Sequence, residues 1–300
     1  MNTYDIIIIG GGPAGLTAAV YALRANKSVL VMEKGTFGGQ ITSSPKVENI
    51  PGFQSVSGNE FADKLMEQAM GLGADIECLE ALSITDGELK KVTTDEGDYF
   101  AKAVIIAAGT CHRLLNLPKE EDFIGNGISF CAVCDGAFYK DKTVAVIGGG
   151  NSALQEAILL SESCEKVYII QNLDYFTGEE KLIEEIKTIP NITPIKGAVV
   201  SALLGDDTLT GIRIQKGDEL ETLKIDGMFT AIGLIPQLEP FNGLINVNSY
   251  GYADSNESCT TNVEGIFVAG DCRSKRIRQV ATAVSDGAIA ALNAVDYIKQ

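Results

Sequence analysis

Two cysteines separated by two residues, Cys131 and Cys134, are the most chemically suggestive feature of this 300-residue chain. Thiols at this spacing are close enough to bridge, and the arrangement often lowers the pKa of one of them. A thiolate attacks a disulfide sulfur through a mixed-disulfide intermediate, so the pair reads as a dithiol–disulfide centre. The alternatives are an accidental CxxC on a loop and half of a zinc site. Zinc would need two further ligands from distant parts of the chain. There is one histidine, His112, so no metal site is expected. The other cysteines (Cys78, Cys111, Cys164, Cys259 and Cys272) are scattered, unlike the framework of a secreted disulfide-rich domain.

Such a pair needs elements that position it and a carrier that exchanges electrons with it. The apolar β-branched run Asp5 to Ile9 reads as a strand buried on both faces. Gly10-Gly11-Gly12-Pro13-Ala14-Gly15 follows and fits G-x-G-x-x-G, and Leu16 to Leu23 carries helix formers. A second strand, Ser28 to Met32, ends at Glu33. In this pattern Gly10 permits the tight turn, Gly12 lets the backbone approach a pyrophosphate, and Gly15 lets the helix pack on the strand. The helix N-terminus faces the phosphates and Glu33 can take ribose hydroxyls. The bland alternative is a tight turn with no ligand.

A second copy spans Thr143 to Leu160, where Gly148-Gly149-Gly150-Asn151-Ser152-Ala153 fits G-x-G-x-x-A, and a further strand runs from Lys166 to Ile170. Near the C-terminus, Gly265 to Asp271 reads as a buried strand and glycine turn, followed by a helix over roughly 279–297. This last strand and helix have no glycine loop of their own, so they are expected to complete the first unit. The fold class is therefore α/β, with two Rossmann-like units, the second inserted in the first. The expected domains are 1–113 with 241–300, and 118–235. The proline-marked stretches Leu114 to Pro118 and Ile235 to Pro240 are the candidate linkers. Small antiparallel ribbons are expected over Ile76 to Phe100 and Ala198 to Lys224.

Composition narrows the function. The chain is 45% hydrophobic and 21% charged, as a soluble protein with full-sized cores should be. A net charge of −16 disfavours nucleic acid and anionic membrane surfaces. The N-terminal apolar run lacks a basic flank and is too short for a signal or a spanning helix, so a cytoplasmic protein is expected.

The segment Cys131-Ala132-Val133-Cys134-Asp135-Gly136, just ahead of the second glycine loop, resembles the C-x-x-C-D-G of the low-molecular-weight thioredoxin reductases. Gly38-Gly39-Gln40-Ile41-Thr42 and Val47-Glu48-Asn49-Ile50-Pro51-Gly52 look like the family's FAD-contacting loop, and Ala107-Ala108-Gly109 resembles its A-T-G turn. Gly270-Asp271 and Arg278-Gln279-Val280 resemble its C-terminal flavin-binding stretch. The match runs over essentially the whole chain.

The resemblance implies an FAD enzyme, usually a homodimer, that reduces a thioredoxin. The FAD contacts it implies are Gly10, Gly12, Pro13, Ala14, Gly15, Glu33, Lys34, Gly39, Gln40, Ile41, Thr42, Asn49, Gly109, Gly270, Asp271, Arg278, Gln279 and Val280. It gives Cys134 the exchange with the flavin, Cys131 the attack on substrate, and Asp135 the handling of thiol protons. Asp135 could instead be a turn residue before Gly136. The resemblance gives His112 no role. It also implies a reorientation of the two domains, with the two proline-marked stretches as hinges.

One departure matters. The family holds the 2′-phosphate of NADPH with H-R-R-x-x-x-R, and here that stretch is Gln171-Asn172-Leu173-Asp174-Tyr175-Phe176-Thr177. All four basic positions are lost. Some members with this pattern take electrons from ferredoxin, and ferredoxin is the expected donor. Arg273, Lys275, Arg276 and Arg278 offer a possible docking patch for it. NADH remains open, because neutral Gln171 could still bond a ribose, and so does a dithiol oxidase that passes electrons to oxygen. The second glycine loop could be kept for packing alone.

Overall fold

Buried β-branched runs, each stopped by glycine, set the central strands. The computed structural model describes residues 3–44 and 46–299. The chain begins β1 (Thr3–Ile9), α1 (Pro13–Arg24), β2 (Val29–Met32), α2 (Gly58–Gly71), β3 (Asp75–Glu77), β4 (Ala81–Thr85), β5 (Lys90–Thr94), β6 (Gly97–Ile106) and β7 (Thr110–His112). It continues through α3 (Glu120–Phe123), β8 (Ile128–Ser129), α4 (Ala132–Asp135), β9 (Thr143–Ile147), α5 (Asn151–Ser161), β10 (Lys166–Gln171), α6 (Glu180–Thr188) and β11 (Ile192–Lys196). The remainder is β12 (Val199–Gly205), β13 (Leu209–Lys216), β14 (Glu219–Lys224), β15 (Gly227–Thr230), β16 (Leu234–Pro236), β17 (Ile266–Val268) and α7 (Val280–Ile298). Contacts divide the chain into a discontinuous unit, up to 111 and from 235 onward, and an inserted unit, 112–234.

In the discontinuous unit β1 lies between β2 and β6, parallel to both. Ile6 to Ile9 are buried, and each such side chain contributes about 1.5–3 kcal/mol. β6 does two jobs. Its far end, Val104 to Ile106, takes β17 in parallel, and its near end pairs antiparallel with β5, beyond which lies β4. The expected ribbon thus begins at Ala81 and is continuous with the main sheet, while β3 joins β2 in parallel. β17 completes the sheet as expected. α7 lies against α1 so closely that a Cβ on Gly287 would stand 2.1 Å from the Ala14 carbonyl oxygen.

A buried carboxylate fastens this returning segment. Asp286, on α7, is 4% exposed. Its Oδ2 accepts from Gly270 N at 3.1 Å, Arg273 Nε at 2.9 Å and Lys275 Nζ at 2.9 Å, and its Oδ1 accepts from Arg273 Nη2 at 3.0 Å. Burial pushes its pKa up, but the bonds from Arg273 and Lys275 outweigh burial and hold it below the usual carboxylate range. Breaking such a pair from one side costs about 3–5 kcal/mol, because the partner charges stay buried.

The basic run expected as a docking patch is therefore largely not a surface. Arg273 is buried on Asp286, and Lys275 is paired with Asp286 and Asp271. Arg278 lays its guanidinium over Tyr252 at 4.0 Å, and of the four basic residues Arg276 alone is exposed.

The inserted unit holds a five-stranded parallel sheet, ordered β11-β10-β9-β15-β8, and the expected antiparallel ribbon β12-β13-β14. Neither proline-marked stretch is a slack linker. Glu120 accepts from Leu115 N at 2.9 Å and Leu117 N at 3.2 Å, and both leucines pack on the inserted unit's core. In the discontinuous unit, Gln237 N donates to Gly109 O at 3.0 Å, and Leu238 and Phe241 lie in its core. Among the described residues no helix is long and apolar enough to cross a membrane.

One helical residue is out of place electrostatically. Glu156 on α5 is partly exposed, but its Oε2 is sealed from solvent without a hydrogen-bond partner. Burial pushes its pKa up to about 7. The folded state thus keeps a proton that an ordinary carboxyl, near 4.5, releases on unfolding. Stability is present below that lower value and is lost as pH rises through the window between the two. Glu156→Gln should match the parent at about pH 5 and be more stable by about 1–3 kcal/mol at about pH 8. Thermal midpoints measured across that range test this, and a difference that does not grow with pH rules it out.

Candidate active site

Chemistry-bearing residues collect in two places, one in each unit. In the discontinuous unit they gather at the carboxyl ends of β1, β2, β6 and β17, where parallel strands end in open turns. Gly10 has φ +111°, and a Cβ there would stand 2.3 Å from Ala107 O. A Cβ on Gly15 would stand 1.9 Å from Gly10 O. Both glycines are required by the chain's own packing. Gly12 is different, because a Cβ there would meet only Gly38 O, at 3.8 Å. Its lack of a side chain leaves an open cradle at the first turn of α1, where Pro13 and Ala14 begin the helix.

Short contacts bring the other expected residues to that cradle. Gly38 N donates to Gly11 O at 2.8 Å, placing the 3₁₀ turn Gly39–Ser43, with Ile41, beside the glycine loop. Thr42 Oγ1 donates to Gly39 O at 2.8 Å. Gln40 donates to the Thr110 carbonyl, and to the Thr110 hydroxyl at 3.0 Å, next to Gly109. A Cβ on Gly270 would lie 2.9 Å from Ala14 Cβ. Asn49 Nδ2 donates to Gln279 Oε1 at 3.1 Å, and Gln279 caps α7 ahead of Val280. Arg278 Nε donates to Asp271 O at 3.2 Å. Burial pushes the Asp271 carboxyl up, and Lys275, 3.2 Å away, opposes it.

Glu33 ends β2. Its Oε2 accepts from Gly11 N at 2.8 Å and its Oε1 from Gly35 N at 2.9 Å. A carboxylate has about four acceptor sites, so lone pairs remain for hydroxyl donors. Beside it opens a cavity of about 240 Å³, lined by Gly10, Glu33, Lys34, Leu79, Gln237 and Phe241, among others. The walls around residues 79–81 and 235–241 were not legible in the sequence, since nothing in them marks a ligand. The open position at Gly12, the acidic strand end and this cavity together fit a dinucleotide such as FAD.

The second site is in the inserted unit. Cys131 and Cys134 form a disulfide, with Cα atoms 5.3 Å apart. Cys131 caps the short helix α4, its carbonyl accepting from Cys134 N at 3.1 Å and Asp135 N at 3.0 Å. Val133, between the cysteines, is 62% exposed, so the disulfide sits at an accessible surface of its unit. Ser129, buried at the end of β8, was missed by the sequence reading. Its Oγ donates to Asp135 Oδ2 at 2.6 Å and accepts from Cys131 N at 3.1 Å. Asp135 Oδ1 is sealed from solvent without a partner. Burial pushes the Asp135 carboxyl up, and the Ser129 bond works against it. A buried carboxyl next to a dithiol in sequence is suited to exchanging a proton with a thiol.

Other titratable groups of the two units are quieter. His112 stacks on Phe130 at 4.2 Å and 14°, and burial pushes its pKa down to about 4, so it is neutral at physiological pH. Cys259 and Cys272 are buried, and burial pushes their thiols up to about 11 and about 12. Cys164 is also buried and shifted upward by burial. Among the described residues no cluster of histidine, cysteine and carboxylate could hold a metal ion.

The second glycine loop is closely knitted. A Cβ on Gly148 would stand 2.5 Å from Ala231 O, and one on Gly149 would strike the Gln171 side chain. Gln171 is buried and turned toward its own loop, its Nε2 donating to Tyr175 O at 3.3 Å. Gly149 O accepts from Thr177 N at 2.8 Å and Gly178 N at 3.0 Å. Asn151 and Glu179 are bonded side chain to side chain at 3.0 Å. Gly150 alone stands open, its nearest neighbour being Thr177 Oγ1 at 3.7 Å.

The chain is similar to known proteins over nearly its whole length. The family described as pyridine nucleotide-disulphide oxidoreductase matches residues 4–287. The thioredoxin reductase of Bacillus subtilis (strain 168) is 41% identical over 309 residues, covering 99% of this chain and 95% of that protein. The crystal structure of thioredoxin reductase from Streptococcus pyogenes superposes with a TM-score of 0.95 at 36% identity, covering 99% of each chain. A ferredoxin-flavin thioredoxin reductase from Clostridium acetobutylicum matches with a TM-score of 0.55 at 31% identity, covering 100% of this chain and 98% of that one.

The two kinds of glycine predict different defects. Gly12→Ala should fold with a thermal midpoint within a few degrees of the parent but lose at least about tenfold in FAD affinity, because the added methyl enters the cradle. Gly15→Ala should lose stability as well, by about 1–3 kcal/mol, from overpacking. Flavin content and apoprotein melting separate the two, and equal flavin affinity for parent and Gly12→Ala would refute the cradle. This chain belongs to the pyridine nucleotide-disulphide oxidoreductase family and is, within it, an FAD-dependent thiol–disulfide oxidoreductase of the thioredoxin reductase type.

Proposed function

We propose that this enzyme reduces the disulfide of a thioredoxin-like protein through Cys131 and Cys134, with electrons supplied by reduced ferredoxin. The observation that carries the donor assignment is the loop after β10. No cation stands at Gln171, Asn172, Leu173 or Thr177, and Asp174 adds a negative charge. Charge-assisted bonds to a phosphate contribute about 1.5–3 kcal/mol each. Losing two or three weakens NADPH roughly a thousandfold or more, at tenfold per 1.4 kcal/mol. The inward turn of Gln171 toward Tyr175 supports the same reading, and the Clostridium acetobutylicum relative is named for a ferredoxin donor. Because Arg273, Lys275 and Arg278 are engaged internally, ferredoxin would not dock on that run as a patch. The inserted unit, on this reading, keeps the frame of a nicotinamide-nucleotide domain without its phosphate clamp. A cytoplasmic homodimer completes the proposal.

FAD, when bound, supplies a carrier able to exchange electrons singly or in pairs. The residues around the Gly12 cradle would hold it: the glycine loop, Glu33 and Lys34, Gly39 to Thr42, Asn49, Gly109, Gly270, Asp271, and Arg278 to Val280. The protein's own chemistry is thiol exchange. The Cys131 thiolate attacks the substrate disulfide, forming a mixed disulfide and releasing one substrate thiolate. The Cys134 thiolate then attacks Cys131 Sγ, breaking the mixed bond and releasing the second. The pair gives up two electrons and two protons, and the substrate gains both. Asp135 carries the proton at Cys134.

Gly150 favours a second reading, NADH as donor, since its open position is not needed for packing. The deciding experiment mixes the anaerobic protein with NADPH, NADH or reduced ferredoxin and follows flavin bleaching. Ferredoxin should bleach the flavin and drive thioredoxin reduction, while micromolar NADPH should not. Fast bleaching by NADPH overturns the reading of the loop. Cys131→Ser and Cys134→Ser should each abolish turnover of the disulfide substrate while leaving flavin content intact.

A further inference from the structure

We propose that Ser129 is a positioning residue of the dithiol centre, whose hydroxyl ties the Cys131 backbone to the Asp135 carboxyl and fixes the oxygen with which Asp135 meets the thiol proton. The proposal rests on the reading that Asp135 handles that proton.

A serine hydroxyl has one proton to give. Here it goes to Asp135 Oδ2 at 2.6 Å, while the same oxygen accepts from Cys131 N at 3.1 Å. Ser129 is 5% exposed and is locked at the end of β8, where it pairs with Phe229 of β15. Its hydroxyl therefore cannot satisfy itself with water. The bond uses one carboxyl oxygen and leaves Oδ1, sealed and unpartnered, as the free one. An unpartnered buried oxygen is costly unless it does something, and proton exchange with the adjacent dithiol gives it a task. In the reaction, the Cys134 proton passes to Asp135 as the thiolate attacks Cys131 Sγ, and Asp135 then yields it to the leaving substrate thiolate.

Ser129 also sets where Asp135 titrates, because burial and the Ser129 bond act in opposite directions. Tyr139, on the following 3₁₀ turn, feels the charge of this carboxyl, and α5, packed against α4, carries Glu156. Asp226 acts on Tyr139. Glu156 titrates inside the useful pH range, so a Glu156→Gln background removes its contribution.

The test uses the full-length flavoprotein, reduced with dithiothreitol, freed of reductant and mixed with bis(2-hydroxyethyl) disulfide. This aliphatic disulfide has basic leaving thiolates that need a proton. Reoxidation of the pair is followed by alkylation across pH. Ser129→Ala should slow the reaction roughly tenfold and move the Asp135 limb of the profile to higher pH by about one unit. Ser129→Thr, which keeps the hydroxyl, should restore both. If Ser129→Ala does not fold, Ser129→Gly gives the same donor-less reading. A rate within twofold of the parent and an unmoved profile overturn the proposal, while a slow Asp135→Asn variant shows that the Asp135 reading survives. If Asp135→Asn keeps the parental rate and profile, the reading of Asp135 fails and the role of Ser129 falls with it.

Discussion

The carboxylate of Asp286 holds the discontinuous unit together across its own interruption. The segment that completes its sheet arrives only after the whole inserted unit has been made. Four hydrogen bonds on one buried side chain bind the turn after β17, through Gly270 N, and two cations that would otherwise need solvent. Around that fixed turn stand Gly270 against Ala14, Asp271, and Arg278 over Tyr252. The cradle at Gly12 is consequently walled by residues from both ends of the chain, kept in register by bonds between protein groups.

What could be read from the sequence was what lies close together along it. Strand, glycine loop, helix and acidic strand end follow one another in β1 to Glu33, so spacing alone revealed them. The insertion was legible too, because β17 and α7 lacked a loop of their own. Burial of charge was not. Arg273, Lys275 and Arg278 looked like a surface patch, since nothing in local composition marks the groups that engage them: Asp286 for the first two, the Asp271 carbonyl and the Tyr252 ring for Arg278. Prolines marked 114–118 and 235–240 as candidate linkers, but fastening by Glu120 and by the core leucines cannot be seen in local composition. Ser129 lay two residues from Cys131 in plain view. Only the fold of β8 onto β15 shows that its hydroxyl is aimed at Asp135.

The two glycine loops show how one motif serves two ends. In the first, the strand-end side chain is a carboxylate that accepts backbone N–H groups and keeps lone pairs to spare. In the second, it is an amide that donates to a carbonyl of its own loop. The backbone frame is nearly the same, while residues 171–177 beside the second loop carry no basic side chain.

An enzyme that exchanges disulfides risks exchanging its own. Cys164, Cys259 and Cys272 are buried, and their surroundings disfavour the thiolate that attack requires. They behave as small apolar fillers and not as rival nucleophiles. Burial thereby keeps these three thiols out of exchange with the Cys131–Cys134 pair, and within the inserted unit Cys134 is the accessible neighbour of Cys131.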